Sequence, residues 1–217
     1  MKRFDRHLDG VVRTATAIAR AGELSHICSD KKITAEWSVY KLESLYELAF
    51  LRAFAAWEAC LEGIFYRSLC GHSFITGREI LVSGSYFSTI ALAESSVIAQ
   101  LKGAKATYLL WHNPTDVIKR CRMFIRSGKG FLALQEAILS SNQARLEYLS
   151  YVRHRIVHDN ADSRRKFDKA TLALLGRVYP NSRPGKFLRA LDPSSPTRRK
   201  WLETFTAELV GLAGQMV

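Results

Sequence analysis

The chain has 217 residues, 47% of them hydrophobic and 11% aromatic, which predicts a packed core and excludes general disorder. Its net charge of +12 favours a polyanionic partner, nucleic acid before an acidic membrane surface. No apolar run approaches the roughly 20 residues that cross a bilayer, and the start lacks the apolar segment of a secretory signal. Four cysteines without a CxxC pair favour reduced thiols. We therefore expect a soluble, cytoplasmic protein that does not act at a membrane.

Helical periodicity dominates the first hundred residues. The strongest segment is 35–70, which has no Gly or Pro before Gly63 and repeats Leu51, Phe54, Leu61 and Phe65 at helical spacing. A weaker helical pattern is expected to stop near Gly22, and the glycine-containing stretch after residue 70 predicts a loop. The predicted helices here are 5–21, 35–70 and 89–102.

The second half continues the helical pattern after an irregular stretch that ends at Asn113-Pro114. Pro114 suits the first turn of a helix written PTDVIKRCRMFIRSG. Residues 179–196 hold four of the five prolines and predict a loop. The further predicted helices are 131–140, 142–159, 165–175 and 197–214.

These elements predict an all-α fold, a single-domain helical bundle over 1–217 with long irregular connections. Its core is expected at about 35–160, followed by a basic C-terminal helical region at about 161–217. Residues 151–217 hold 13 Lys and Arg against 6 Asp and Glu, so more than half of the excess charge lies in the last third. Its basic clusters would bind a phosphate backbone, or would be ordinary solvated surface.

One predicted helix carries a charge within its apolar stripe. At 100° per residue, Arg153 falls inside a cluster of apolar residues, namely Leu146, Leu149, Ile156 and Val157. A desolvated guanidinium is costly, so Arg153 must meet an acceptor or face a cleft. Tyr151, His154 and His158 occupy an adjacent strip.

The 35–70 helix has a matching anomaly, because Glu58 lies on the stripe of Leu51, Phe54, Leu61 and Phe65. The simplest inference is that the two helices pack together and that Glu58 approaches Arg153. The alternative is that either long side chain extends to the rim of the core and keeps its charge in water.

The spacing of His154 and His158 would also suit two metal ligands on one helical face. No HExxH pattern surrounds them, and Asp159 and Asp162 lie at or beyond the predicted helix end. We therefore expect neither a metal site nor a cofactor.

Arg153, four intervening residues and His158 resemble the R-x4-6-H motif of the HEPN superfamily, with His154 at the place where a polar residue usually follows the arginine. Two further stretches, LRAFAAWEACLEGIF and WHNPTDVIKR, resemble the RiboL-PSP branch of that superfamily. The resemblance covers about 40–160. After Asn160 the chain departs from the pattern.

The resemblance implies a helical bundle and a metal-independent endoribonuclease, of the kind that acts as a toxin, an antiphage effector or an RNA-processing enzyme. It implies a homodimer whose motifs face each other across a groove. His158 would transfer protons and Arg153 would bind the phosphate. Glu58 would orient Arg153, whereas His154, Asn160 and Tyr151 would line the cleft or contact the nucleotide.

Two other functions fit the same residues. The first is a helical module that binds nucleic acid or a protein partner without catalysis. The second is a toxin–antitoxin component whose site is controlled by a nucleotidyltransferase-type or other regulatory partner.

Overall fold

The computed structural model describes residues 2–28, 38–72, 82–102, 108–125 and 131–216, and it describes their side chains except at 2–5, 26–28, 102 and 131–134. These residues form α1 (Lys2–Cys28), α2 (Val39–Leu69), α3 (Ile90–Lys102), α4 (Pro114–Phe124), α5 (Phe131–Ser141), α6 (Gln143–Val157), α7 (Ala161–Leu175), α8 (Pro184–Arg189) and α9 (Trp201–Gln215). A short 3-10 helix covers Pro180–Ser182. Within the described residues, extended pairing is limited to two isolated bridges, Val82 with Ile125 and Leu191 with Lys200. The predicted all-α fold is confirmed.

Three predicted boundaries were wrong. α1 continues through Gly22 to Cys28. Gly22 is itself buried, and Glu23 after it bonds Tyr46 and Arg189, so tertiary contacts outweigh the low helix propensity of glycine. α7 begins at Ala161 rather than at residue 165, since Asn160 caps it. The proline-rich segment contains α8, because Pro184 occupies the first turn, where a missing N–H costs nothing. The predicted helical residues 35–37 and the predicted loop at 73–81 lie outside the described residues.

The chain divides into two compact units. Unit 1 consists of residues 1–5, 58–146 and 212–217, and unit 2 of residues 6–57 and 147–211. Unit 2 thus combines part of the predicted core with most of the predicted basic C-terminal region. None of the described helices has the length and apolar character needed to cross a membrane.

Unit 1 is organised around Trp111, which lies in the irregular stretch that the sequence predicted. Its ring lies 5.3 Å from the Phe65 ring and 5.8 Å from the Tyr66 ring. The Arg120 guanidinium lies 4.7 Å from the Trp111 centroid, and Trp111 donates its Nε1 proton to Glu62 at 3.0 Å. Asn113 then caps α4 by accepting the Thr115 N–H at 3.0 Å.

Unit 2 has a buried aromatic core supplied by α2, α7, α8 and α9. Phe187 of α8 is its centre, with its ring stacked on Trp201 at 5.2 Å and set against the Phe167 ring at 5.7 Å. Burying aromatic side chains of this size is the dominant favourable contribution to folding. The same unit carries the candidate site at the C-terminal end of α6.

Unit 2 also holds an ion-pair cluster at its centre. Glu23 of α1 accepts hydrogen bonds from Tyr46 at 3.0 Å and from Arg189 at 2.7 Å, and it pairs with Lys200. Burial raises the pKa of Glu23, but the hydrogen bonds from Arg189 and Lys200 outweigh it and lower the pKa to about 2. Basic residues of the C-terminal third therefore anchor that region to α1 and α2.

Candidate functional site

The C-terminal half of α6 buries a narrower stripe than the sequence predicted. Leu149 and Val152 are fully buried, whereas Val157 keeps 51% of its surface exposed. The prediction that Val157 belongs to the buried stripe was wrong, because the stripe is centred between Leu149 and Val152. Arg153 therefore lies at the edge of the buried face rather than in its middle.

The structure gives Arg153 a partly exposed position in unit 2. Its guanidinium carbon lies 5.9 Å from the centroid of the buried Phe54 ring on α2. The cationic group itself thus lies over an aromatic ring, as in a cation–π contact. That Arg153 meets an acceptor or faces a cleft stays a prediction.

Glu58 belongs to unit 1, where its Oε1 lies 3.4 Å from Nδ1 of His112. Both side chains are mostly buried, with 17% and 25% of their surface exposed. Sequence reasoning missed His112, although it directly precedes the helix-capping Asn113. The pairing of Glu58 with Arg153 stays a prediction.

His154 and His158 are in contact at the end of α6. Their ring centroids are 4.7 Å apart, and Nε2 of His154 lies 3.7 Å from Oδ2 of Asp162 on α7. His158 is exposed and lies one residue past the helix, but its N–H still bonds the His154 carbonyl at 2.9 Å. The sequence prediction that these two histidines share a face is confirmed.

The main chain of His158 is held from two sides. Its carbonyl accepts a hydrogen bond from the Ser163 hydroxyl at 2.6 Å and a longer one from Nη1 of Arg155 at 3.3 Å. Ser163 is completely buried, and the Arg155 side chain is only 11% exposed. The imidazole therefore projects from a fixed backbone.

Arg155 connects the end of α6 to two other segments of unit 2. Its Nη1 donates to Asp159 at 2.7 Å, and its Nε donates to the Ser182 carbonyl at 3.1 Å. Sequence reasoning passed over Arg155 in favour of Arg153, because a helical wheel carries no information on acceptors beyond the helix.

Asn160 caps α7. Its side-chain oxygen accepts the Ser163 N–H at 2.8 Å, and the Ser163 hydroxyl in turn accepts the Asn160 N–H at 3.2 Å. This reciprocal capping box stabilises the first turn of α7. The Asn-x-x-Ser spacing of such a cap is present in the sequence, but sequence reasoning assigned Asn160 only to lining the cleft or contacting the nucleotide.

Tyr151 lies on the same strip of α6 and donates its hydroxyl proton to Glu147. Burial, followed by that hydrogen bond, raises the pKa of Tyr151 to about 12, so the phenol is neutral at physiological pH. The ammonium group of Lys169 lies 5.4 Å from the Tyr151 ring centroid. A neutral phenol on α6 and a cation on α7 thus lie side by side.

Ion pairs lie at the start of α7, where Asp162 approaches His154. Asp159 pairs with Arg155 and Arg164, and Asp162 pairs with Arg165 and Lys166. The hydrogen bonds from Lys166 and Arg165 lower the pKa of Asp162, which keeps its carboxylate ionised near His154. Across the described parts of the chain, no group of three or more His, Cys, Asp or Glu could hold a metal ion.

The angular spacing of the motif limits what one protomer can do. Five residues at 100° each separate Arg153 from His158 by about 140° around the axis. The two side chains therefore leave α6 in different directions.

No family model, curated protein or solved structure matches this chain. Any functional assignment therefore rests on the residues themselves.

Proposed function

We propose that the protein is a metal-independent endoribonuclease that cleaves RNA by 2′-OH transesterification. The 2′-oxygen attacks the adjacent phosphorus and the bond to the 5′-oxygen breaks, which leaves a 2′,3′-cyclic phosphate and a 5′-hydroxyl. One group must accept the 2′-OH proton and another must protonate the leaving oxygen. A cation must also stabilise the charge that develops on the phosphorane.

The observation that carries this proposal is the exposed imidazole of His158 in contact with His154 on a fixed backbone. Imidazole is the side chain whose ordinary pKa suits proton transfer near neutral pH. His158 is thus assigned the proton transfer, and His154 lies where it could contact the same phosphate.

Arg153 is assigned the phosphate, because a guanidinium binds two phosphate oxygens at once and stays charged. Its separation of about 140° from His158 supports a homodimer, in which Arg153 of one protomer would approach His158 of its partner. Glu58 would orient Arg153. Tyr151 would contact the nucleotide, and Asn160 would line the cleft from the start of α7.

The decisive experiment incubates the purified full chain with labelled RNA in excess EDTA. We expect products that end in a 2′,3′-cyclic phosphate, and no cleavage of DNA of the same sequence, because DNA lacks the nucleophile. His158→Ala and Arg153→Ala should each lower the rate by about 100-fold or more. His7→Ala, which removes an exposed histidine on α1, is the matched control and should cleave at the wild-type rate.

Three outcomes contradict the proposal. Unchanged cleavage by His158→Ala would place the chemistry elsewhere. Cleavage abolished by EDTA would require a metal ion. RNA that binds to the folded chain but stays intact would favour the non-catalytic module, which could still act in defence or RNA processing under a nucleotidyltransferase-type or other regulatory partner.

The dimer has its own test. Mixing Arg153→Ala with His158→Ala should restore cleavage if the two side chains of one site come from different protomers. Absence of any recovery, in a mixture that sedimentation shows to contain dimers, would reject the shared site.

A further inference from the structure

A groove of about 800 Å³ follows α1 and the first half of α2 within unit 2. Small side chains form its floor, among them Gly10, Ala15 and Ala49. A Cβ atom added at Gly10 would meet nothing within 4 Å, so the space there is open. The groove exists because these two helices approach each other through small residues, which leaves volume that larger side chains would fill.

The rim of the groove is apolar and solvent-exposed at the same time. Ile18 of α1 and Leu48 of α2 keep 48% and 59% of their surface exposed. Exposed apolar residues that line a continuous groove are typical of a surface that another molecule covers.

The shape of the groove selects among occupants. From Arg6 to Ile18 it extends about 18 Å at 1.5 Å per residue, which equals about three turns of a helix. An acyl chain in such an open groove would leave one side in water. An amphipathic helix would bury its apolar face against Ile18 and Leu48 and keep its polar face in solvent.

The basic residues at one end of the groove determine in which direction such a helix would bind. Arg6, His7 and Arg52 line one end of the groove, and its described lining contains no Asp or Glu. The opposite end is where α1 and α2 meet through the Tyr46–Glu23 hydrogen bond.

We propose that this groove binds an amphipathic helix of a partner protein, with acidic residues at the end that meets Arg6, His7 and Arg52. The apolar anchors of the partner helix recur at i, i+3 or i+4, and i+7, and contact Ile18 and Leu48. This inference is independent of RNA cleavage, because it uses no residue of the α6–α7 site.

The test is selection of a displayed library of random 16-residue peptides against the full-length chain, followed by anisotropy measurements with the labelled winners. We expect helical sequences with apolar positions at that spacing and Asp or Glu at one end. Leu48→Glu and Gly10→Leu should each weaken their binding by about tenfold or more. Gly10→Leu fills the groove with a better helix former, so the chain stays folded.

Matched controls are Leu92→Glu, an exposed leucine on α3, and Gly214→Leu, an open glycine on α9. Both should bind the peptides as the wild type does. In addition, Arg52→Glu should lose acidic peptides and gain their counterparts with Lys at that end.

Peptides without apolar periodicity or acidic bias, or binding unaffected by the groove variants, would overturn the proposal. So would dimers that Leu48→Glu dissociates, or anionic vesicles that bind through these residues more tightly than any selected peptide.

Discussion

The main chain and the side chain of His158 have different surroundings. Its carbonyl is fixed by Ser163 and Arg155, whereas its imidazole is exposed against His154. Ser163 and Arg155, which hold the main chain, are buried or nearly so, whereas the candidate chemical group, the His158 imidazole, is exposed to solvent. Such a division is what a catalytic group requires, because a positioned donor needs a rigid backbone and a free reactive atom.

The ion pairs of Glu23 predict how the stability of the folded chain depends on pH. Its pKa in the folded chain is about 2, below its ordinary value of 4.5, so the folded state binds fewer protons than the unfolded state. The stabilisation from Glu23 is therefore complete above about pH 4.5 and is lost as the pH falls towards 2. Glu23→Gln should be less stable than the wild type at pH 7, and the difference should shrink over that range.

Chemical unfolding at pH 7, 5, 4 and 3 measures this difference. Asp9→Asn is the control, because Asp9 pairs with an Arg13 side chain that is 79% exposed, and surface pairs contribute little. A wild-type advantage over Glu23→Gln that stays constant down to pH 3 would contradict the lowered pKa.

Helical periodicity predicted most elements of this fold, since long helices such as α2 repeat apolar residues over many turns. It failed where tertiary contacts decide the outcome. Gly22 does not end α1, because the next residue, Glu23, is held by Tyr46 of α2 and by Arg189 of α8. Likewise, the prolines of 179–196 include one that begins α8. The His154–His158 contact followed from spacing alone, whereas the acceptors of Arg155 depend on chain segments that no local pattern links to it.

α8 and α2 approach each other closely at Gly185. A Cβ atom at Gly185 would lie 2.5 Å from the Glu43 carbonyl oxygen and 2.7 Å from its Cβ. Only glycine fits, and its N–H donates to Glu47 at 2.8 Å. The contact brings Phe187 into the aromatic core, so a six-residue helix fixes much larger elements.

Gly185→Ala should therefore lower the free energy of unfolding by about 2 kcal/mol or more, since α8 must shift or Glu43 must move. Gly211→Ala is the matched control on α9, where an added Cβ meets nothing within 4 Å. That control should gain about 0.5–1 kcal/mol from helix propensity. Equal stability changes in the two variants, measured by urea unfolding, would contradict the close approach.

At the scale of the whole molecule, the net charge of +12 does not say which of the basic side chains are open to a polyanion. Several basic residues of the C-terminal third pair with carboxylates of α1 and α2: Arg183 with Glu43, and Arg189 and Lys200 with Glu23. They hold unit 2 together. The prediction that the basic clusters add backbone affinity stays untested, and it now applies to other cations, such as the exposed Lys169 beside Tyr151.

Two substitutions of equal charge should therefore have different effects. With 2′-O-methyl RNA, which binds without being cleaved, Lys169→Ala should weaken binding and reduce the slope of log affinity against log salt by about 0.7, the contribution of one phosphate contact on a single strand. Arg189→Ala should leave that slope unchanged and lower the free energy of unfolding by about 1.5–3 kcal/mol, because Glu23 loses a charged hydrogen bond. Anisotropy titrations between 50 and 300 mM salt (roughly the range over which counterion release dominates) and urea unfolding measure the two quantities. Similar slopes for both variants would mean that RNA binding depends on net charge alone, and that the RNA strand does not pass beside His154 and Tyr151.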